Sequence, residues 1–174
     1  MRVPPPNARR LGTADVLRQA RVINAVADLG IPVPQVIWKG EEEEWFGSPY
    51  FIVEFLQGDT LGGEWGDSLT AGQIKPMAIQ AVKVLAKLHR LDWISVVSND
   101  GPPISLEDDV RRWDRFLEKT SDPDDLDIAP LVKKRLLECL PIAPRVGIFH
   151  GDFQWSNLFF NNECKFTALI DWEL

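Results

Sequence analysis

His150-Gly151-Asp152-Phe153-Gln154-Trp155-Ser156-Asn157 and, thirteen positions further on, Ile170-Asp171-Trp172-Glu173 decide how this chain is read. The short apolar run 146–149 reads as a strand that enters a polar loop. Residues 158–160 read as a second strand, Asn161-Asn162-Glu163 as a turn, and 166–170 as the return strand. An antiparallel hairpin of that length brings its two open ends together, so Asp152, Asn157 and Asp171 meet at one end. Two carboxylates and an amide oxygen are hard ligands of the kind Mg²⁺ prefers, because it takes one or two protein carboxylates and completes its shell with water and phosphate. A carboxylate not committed to the metal can accept a hydroxyl proton. Those are the parts of a phosphoryl-transfer site: positioning, charge neutralisation and a base. Singly, Asp171 reads as a strand end and Asn157 as a turn cap; the set of three at this spacing carries the chemistry.

Upstream of this stretch the pattern is helical. Ile74, Met77, Ala78, Ala81, Leu85 and Leu88 repeat at helical spacing over 74–91, with Pro76 placed in the first turn where its missing N–H costs little. Ser105 and Asp108 resemble a capping box opening a helix to about residue 119. Residues 121–127 read as an exposed loop, and Pro130 as the first position of a helix that Pro141 ends. Residues 58–68 hold four glycines without periodicity and read as a linker. They match neither G-x-G-x-x-G nor G-x-x-x-x-G-K-[ST], which excludes the usual glycine-rich phosphate cradles. Before the linker, Thr13 caps a helix to about residue 29, striped by Val16, Ala20, Ile23 and Ala27 and stopped by Gly30. Two strands follow, at 33–38 and 50–56. The acidic run Glu41–Glu44 between them reads as a solvated turn.

The chain has 174 residues, 45% hydrophobic, with 19 Lys+Arg against 26 Asp+Glu, a net charge of −7. That balance argues against a nucleic-acid surface, and no apolar run approaches the roughly 20 residues that cross a bilayer. Cys139 and Cys164 are too few and too isolated for a disulfide framework or a zinc site, and they suit a reducing cytoplasm.

The segment His150-Gly151-Asp152-x-x-x-x-Asn157 with Leu169-Ile170-Asp171-Trp172-Glu173 resembles the catalytic core of the aminoglycoside phosphotransferase family, small-molecule kinases with a protein-kinase-like fold. The branch it most resembles includes kinase-like domains fused to acyl-CoA dehydrogenases. Upstream matches occur in the family's order: Arg2-Val3-Pro4-Pro5, Val33-Pro34, the run from Gly47 to Gly58, the run from Leu88 to Trp93, and Arg112-Trp113. The resemblance implies an α+β, two-lobed fold: a partial N-lobe over 1–57, a hinge over 58–68, and a partial helical C-lobe over 69–174 with a catalytic-loop hairpin. It also implies ATP and Mg²⁺ as cofactors and a hydroxyl on a small molecule as acceptor.

By that resemblance Asp152 would be the catalytic base, and Asn157 and Asp171 would hold the metal. Backbone groups of Glu54 and Leu56 would meet the adenine edge, and His150 would brace the loop from behind. Arg2 falls where such kinases carry a phosphate-gripping lysine. Gln19 falls where the glutamate paired with that lysine is expected, and Asp15, one turn earlier, is a candidate substitute. Compared with whole family members, the chain reads as truncated at both ends. The alternative reading is a non-catalytic, nucleotide-binding member or an inactive fragment. A protein kinase is the third reading, against which Gly151 stands where protein kinases carry arginine.

Overall fold

The computed structural model describes residues 1–4, 15–62, 64–97 and 101–172, which form two compact units. The first comprises 1–100 and 147–174, and the second 101–146.

In the first unit, α1 (Val16–Asp28) is capped by Asp15, whose carboxylate accepts from Leu17 N–H at 2.9 Å and Arg18 N–H at 3.1 Å. This satisfies two of the N–H groups that every helix start leaves open. The expected cap, Thr13, lies outside the described residues. The buried face of α1 is Val16, Gln19, Ala20, Val22, Ile23 and Val26, so Val26 takes the place expected of Ala27. Gly30 stops the helix at φ 76°, and Lys87 Nζ donates to its carbonyl at 2.6 Å.

Strands β1 (Val36–Gly40) and β2 (Tyr50–Val53) pair antiparallel, Gly40 facing Tyr50 and Val36 facing Val53. Arg2 adds an isolated bridge on the other edge of β2, exchanging both backbone hydrogen bonds with Phe51. The second half of the acidic run opens the single helical turn α2 (Glu43–Phe46), while residues 41–42 stay irregular.

The glycine-rich stretch contains β3 (Asp59–Thr60) and α3 (Glu64–Asp67). Helix α4 (Ala71–Leu88) starts three residues before the expected Ile74, because Gln73 Oε1 accepts from both the N–H and the hydroxyl of Thr70. Pro76 is therefore the sixth residue of the helix, at the cost of one helical hydrogen bond. Met77, Ala81 and Leu88 face the core. The short α5 (Trp93–Val97) follows and packs against α1.

The second unit holds α6 (Leu106–Arg111), α7 (Asp114–Leu117) and α8 (Pro123–Glu138). Ser105 caps α6 as expected, accepting from Asp108 N–H at 3.0 Å. The single helix expected to residue 119 is broken in two. Helix α8 begins seven residues ahead of Pro130, because Pro123 already supplies the favoured opening proline. Lys133 Nζ ties α8 to α7 through both Asp114 carboxylate oxygens, at 2.7 and 2.6 Å.

The expected strand over 146–149 is absent. Strands β4 (Leu158–Phe160) and β5 (Phe166–Leu169) form the expected hairpin, and β3 joins its outer edge to give the order β3-β4-β5. The hydrophobic core of this unit draws Val16, Ala20 and Ile23 from α1, Met77, Ala81 and Leu88 from α4, and Leu158, Phe160, Leu169 and Trp172 from the hairpin and its exit. No helix of the described residues is long and apolar enough to cross a membrane.

Candidate active site

The loop 150–157 is held by its own backbone. Gln154 N–H donates to Asp152 O at 3.0 Å and Asn157 N–H to Gln154 O at 2.9 Å, forming the 3₁₀ turn Trp155–Asn157. Gly151, at φ 88°, makes the bend before it. Asn157, 5% exposed, is the pivot: its side-chain NH₂ donates to Asp152 O and to Asp152 Oδ2, both at 2.9 Å. An amide has its donor and its acceptor on opposite arms of one carbon. Committing Nδ2 to Asp152 therefore turns Oδ1 away, free to meet a cation.

His150 is 1% exposed and sits under this loop. Its Nδ1 lies 3.3 Å from Asp152 N, whose N–H it accepts, and its Nε2 lies 2.9 Å from Ile170 O. A ring that accepts at Nδ1 and donates at Nε2 is neutral. Burial pushes its pKa below the usual 6.5, against the opposing pull of the Ile170 and Asp152 backbone groups and the charges of Asp152 and Asp171. Edge-on packing against Trp172, with ring centroids 4.8 Å apart, fixes the ring plane. One imidazole thus ties the loop carrying Asp152 to the strand end carrying Asp171.

Asp171 adopts φ 66°, the left-handed conformation that aspartate and asparagine tolerate better than other side chains. It leaves the strand abruptly, and its carboxylate reaches to 3.8 Å from Arg2 Nη1. From α4, Gln80 grips the hairpin turn: its Nε2 donates to Cys164 O and its Oε1 accepts from Phe166 N–H, both at 3.0 Å. Gln80 gives no signal in the sequence, since α4 also carries Gln73, Lys75, Lys83 and Lys87.

A cavity of about 500 Å³ gathers most of the expected site residues: Arg2, Gln19, Glu54, Leu56, Asn157 and Asp171 all line it. Asp152 lies outside its wall and joins it through Asn157. Asp15 is spent on capping α1 and does not line the cavity, so it does not replace the glutamate whose place Gln19 takes. Gln19, 4% exposed, presents an amide there instead. Glu54 N–H is committed to Gln35 O at 2.9 Å, and its carboxylate accepts from Gln35 N–H at 2.8 Å. A base seated at Glu54 would therefore find its carbonyl. Glu173 lies outside the described residues. No group of three or more His, Cys, Asp and Glu side chains among the described residues forms a metal cage. One carboxylate and one amide oxygen on a cavity wall do suit Mg²⁺, which keeps water and phosphate in the rest of its shell.

The fold and this hairpin define a protein-kinase-like chain. A crystal structure from Ralstonia eutropha has a TM-score of 0.74 at 24% identity, covering 91% of this chain and 50% of that one. The aminoglycoside-3′-phosphotransferase of type VIII has a TM-score of 0.64 at 25% identity, covering 90% and 57%. The GDP and kanamycin complex of APH(2″)-IIIa, at 18% identity and a TM-score of 0.66, covers 93% and 58% and shares the fold. The chain belongs to the APH family, the phosphotransferase enzyme family, whose pattern matches residues 1–174. Among curated proteins, it is 27% identical to the mouse acyl-CoA dehydrogenase family member 10 over 97% of this chain, which is 16% of that protein. It is 25% identical to the human acyl-CoA dehydrogenase family member 11 over all of this chain and 23% of that one. The chain thus spans less than a quarter of these curated relatives and about half of the solved structures.

Proposed function

We propose that this chain transfers the γ-phosphoryl group of ATP to a hydroxyl on a small molecule, with Asp152 as base and Asn157 and Asp171 as the Mg²⁺ ligands. The observation that carries the reading is the shared cavity wall of Arg2, Gln19, Glu54, Leu56, Asn157 and Asp171, coupled to Asp152 by the Asn157 amide. Asp152 takes the acceptor's proton as the acceptor oxygen bonds to the γ-phosphorus, while the bond from that phosphorus to the β,γ-bridging oxygen breaks and ADP leaves. Mg²⁺, when bound, neutralises phosphate charge. The Arg2 guanidinium orients the phosphates, and the Glu54 carbonyl and Leu56 backbone receive the adenine edge. In this reading 1–57 and 69–174 act as the lobes and 58–68 as their hinge. The two thiols suit the cytoplasm, and the net charge of −7 suits a small-molecule rather than a nucleic-acid partner.

The test is Mg²⁺·ATP turnover with labelled γ-phosphate. Asp152→Asn should cost about 10²–10⁴ in rate with nucleotide affinity unchanged. Asp171→Asn should weaken Mg²⁺·ATP binding, followed by tryptophan emission. Equal turnover and binding in all three proteins would refute the assignment. One observation favours a second reading, a nucleotide-binding member without useful turnover: the cavity wall carries the Gln19 amide where the resemblance expects a glutamate, and Asp15 caps α1. Mg²⁺-dependent ATP binding without turnover in the complete protein would select that reading.

A further inference from the structure

Asp152 Oδ2 receives two donors: Asn157 Nδ2 at 2.9 Å and Gln154 Nε2 at 2.7 Å. A carboxylate oxygen has two in-plane lone pairs, so Oδ2 is saturated and an incoming hydroxyl meets Oδ1. Gln154 is well placed for this. Its backbone N–H bonds to Asp152 O, its own carbonyl takes Asn157 N–H, and its exposed side chain folds back over the loop. The two amides hold one carboxylate oxygen from two directions and resist rotation of the group about Cβ–Cγ. With Asn157 alone, the carboxylate could swing about a single hydrogen bond. We propose that Gln154 is a positioning residue that fixes the Asp152 carboxylate and makes Oδ1 the oxygen that takes the acceptor's proton.

This inference rests on Asp152 being the base, and the experiment separates the two. The full chain is assayed with Mg²⁺·[γ-³²P]ATP, water serving as acceptor. Gln154→Met keeps the side chain's length and removes the donor. It should lower kcat about ten- to a hundredfold, with KM for Mg²⁺·ATP and the melting midpoint unchanged. Gln154→Glu, which sets a carboxylate against Oδ2, should lower kcat further. In an Asp152→Asn background Gln154→Met should add nothing, because the residue acts only through Asp152. Wild-type kcat in Gln154→Met, or the same fold-loss with and without Asp152, would overturn the inference while leaving the base assignment standing. Wild-type turnover in Asp152→Asn would instead overturn the base assignment and the positioning role together.

Discussion

At the scale of single residues the site depends on a few side chains with two tasks each. His150 is the clearest case. Its folded-state pKa lies below the 6.5 of the unfolded chain, so the folded protein binds fewer protons between those values. The stability it contributes is complete above the unfolded pKa and is lost as pH falls through the folded one. Adding a proton at Nδ1 also removes the acceptor of Asp152 N–H. Urea midpoints measured from pH 8 to 5 should fall more steeply for the wild type than for His150→Gln; parallel slopes would show that the imidazole is not the titrating group. The Arg2–Asp171 pair is different. Both partners are more than a third exposed, so the pair contributes only about 0–1 kcal/mol to folding. Arg2→Ala should therefore leave the melting midpoint nearly unchanged while raising the Kd for Mg²⁺·ATP, read by tryptophan emission. A large loss of stability at constant affinity would reverse that assignment.

Among the elements, the β4–β5 hairpin is pinned from two sides. On one side, Gly58 at φ 121° lies so close to β4 that a Cβ there would sit 2.0 Å from Phe160 O. Gly58→Ala should cost more than the 1–3 kcal/mol of backbone strain alone, because the overlap pushes β3 off β4. On the other side, Gln80→Ala removes two hydrogen bonds to the turn and should cost about 1–3 kcal/mol, with faster amide exchange at Phe166 as its local signature. The hairpin was legible because its alternation and turn residues are local signals. So was α1 apart from its cap and the Val26 position of its buried face. What escaped was set by partners distant in sequence. The β3–β4 pairing was not visible because nothing within the glycine stretch announces that Asp59 pairs with Phe160. Gln80 and Gln154 looked ordinary because an amide's role depends on which two groups it bridges. The start of α8 was misplaced because two prolines, Pro123 and Pro130, compete for one role.

Across the whole molecule the two units are built differently. The unit formed by 1–100 and 147–174 has an interior of near-zero exposure, whereas α6 and α7 contain no buried residue, and Trp113, Phe116, Leu131 and Val132 are about half exposed or more. Hydrogen exchange should therefore be fastest in α6–α8 and slowest in α1 and α4, since protection follows apolar burial; uniform protection would contradict the division. The first unit is also discontinuous: Leu169 N–H reaches Pro32 O at 2.9 Å, and Trp172 shares a core with Val16. For a chain made from its N-terminus this sets an order of events. At about 5–20 residues per second, roughly 4–14 s separate the emergence of residue 100 from that of residue 172. Throughout that interval α1 and α4 have no β4–β5 hairpin to close over them, and their apolar faces stay open to the ribosome's surroundings. The piece that completes the core is the piece that carries the candidate residues Asp152, Asn157 and Asp171, so the nascent chain becomes shielded from chaperones and proteases only when that piece arrives.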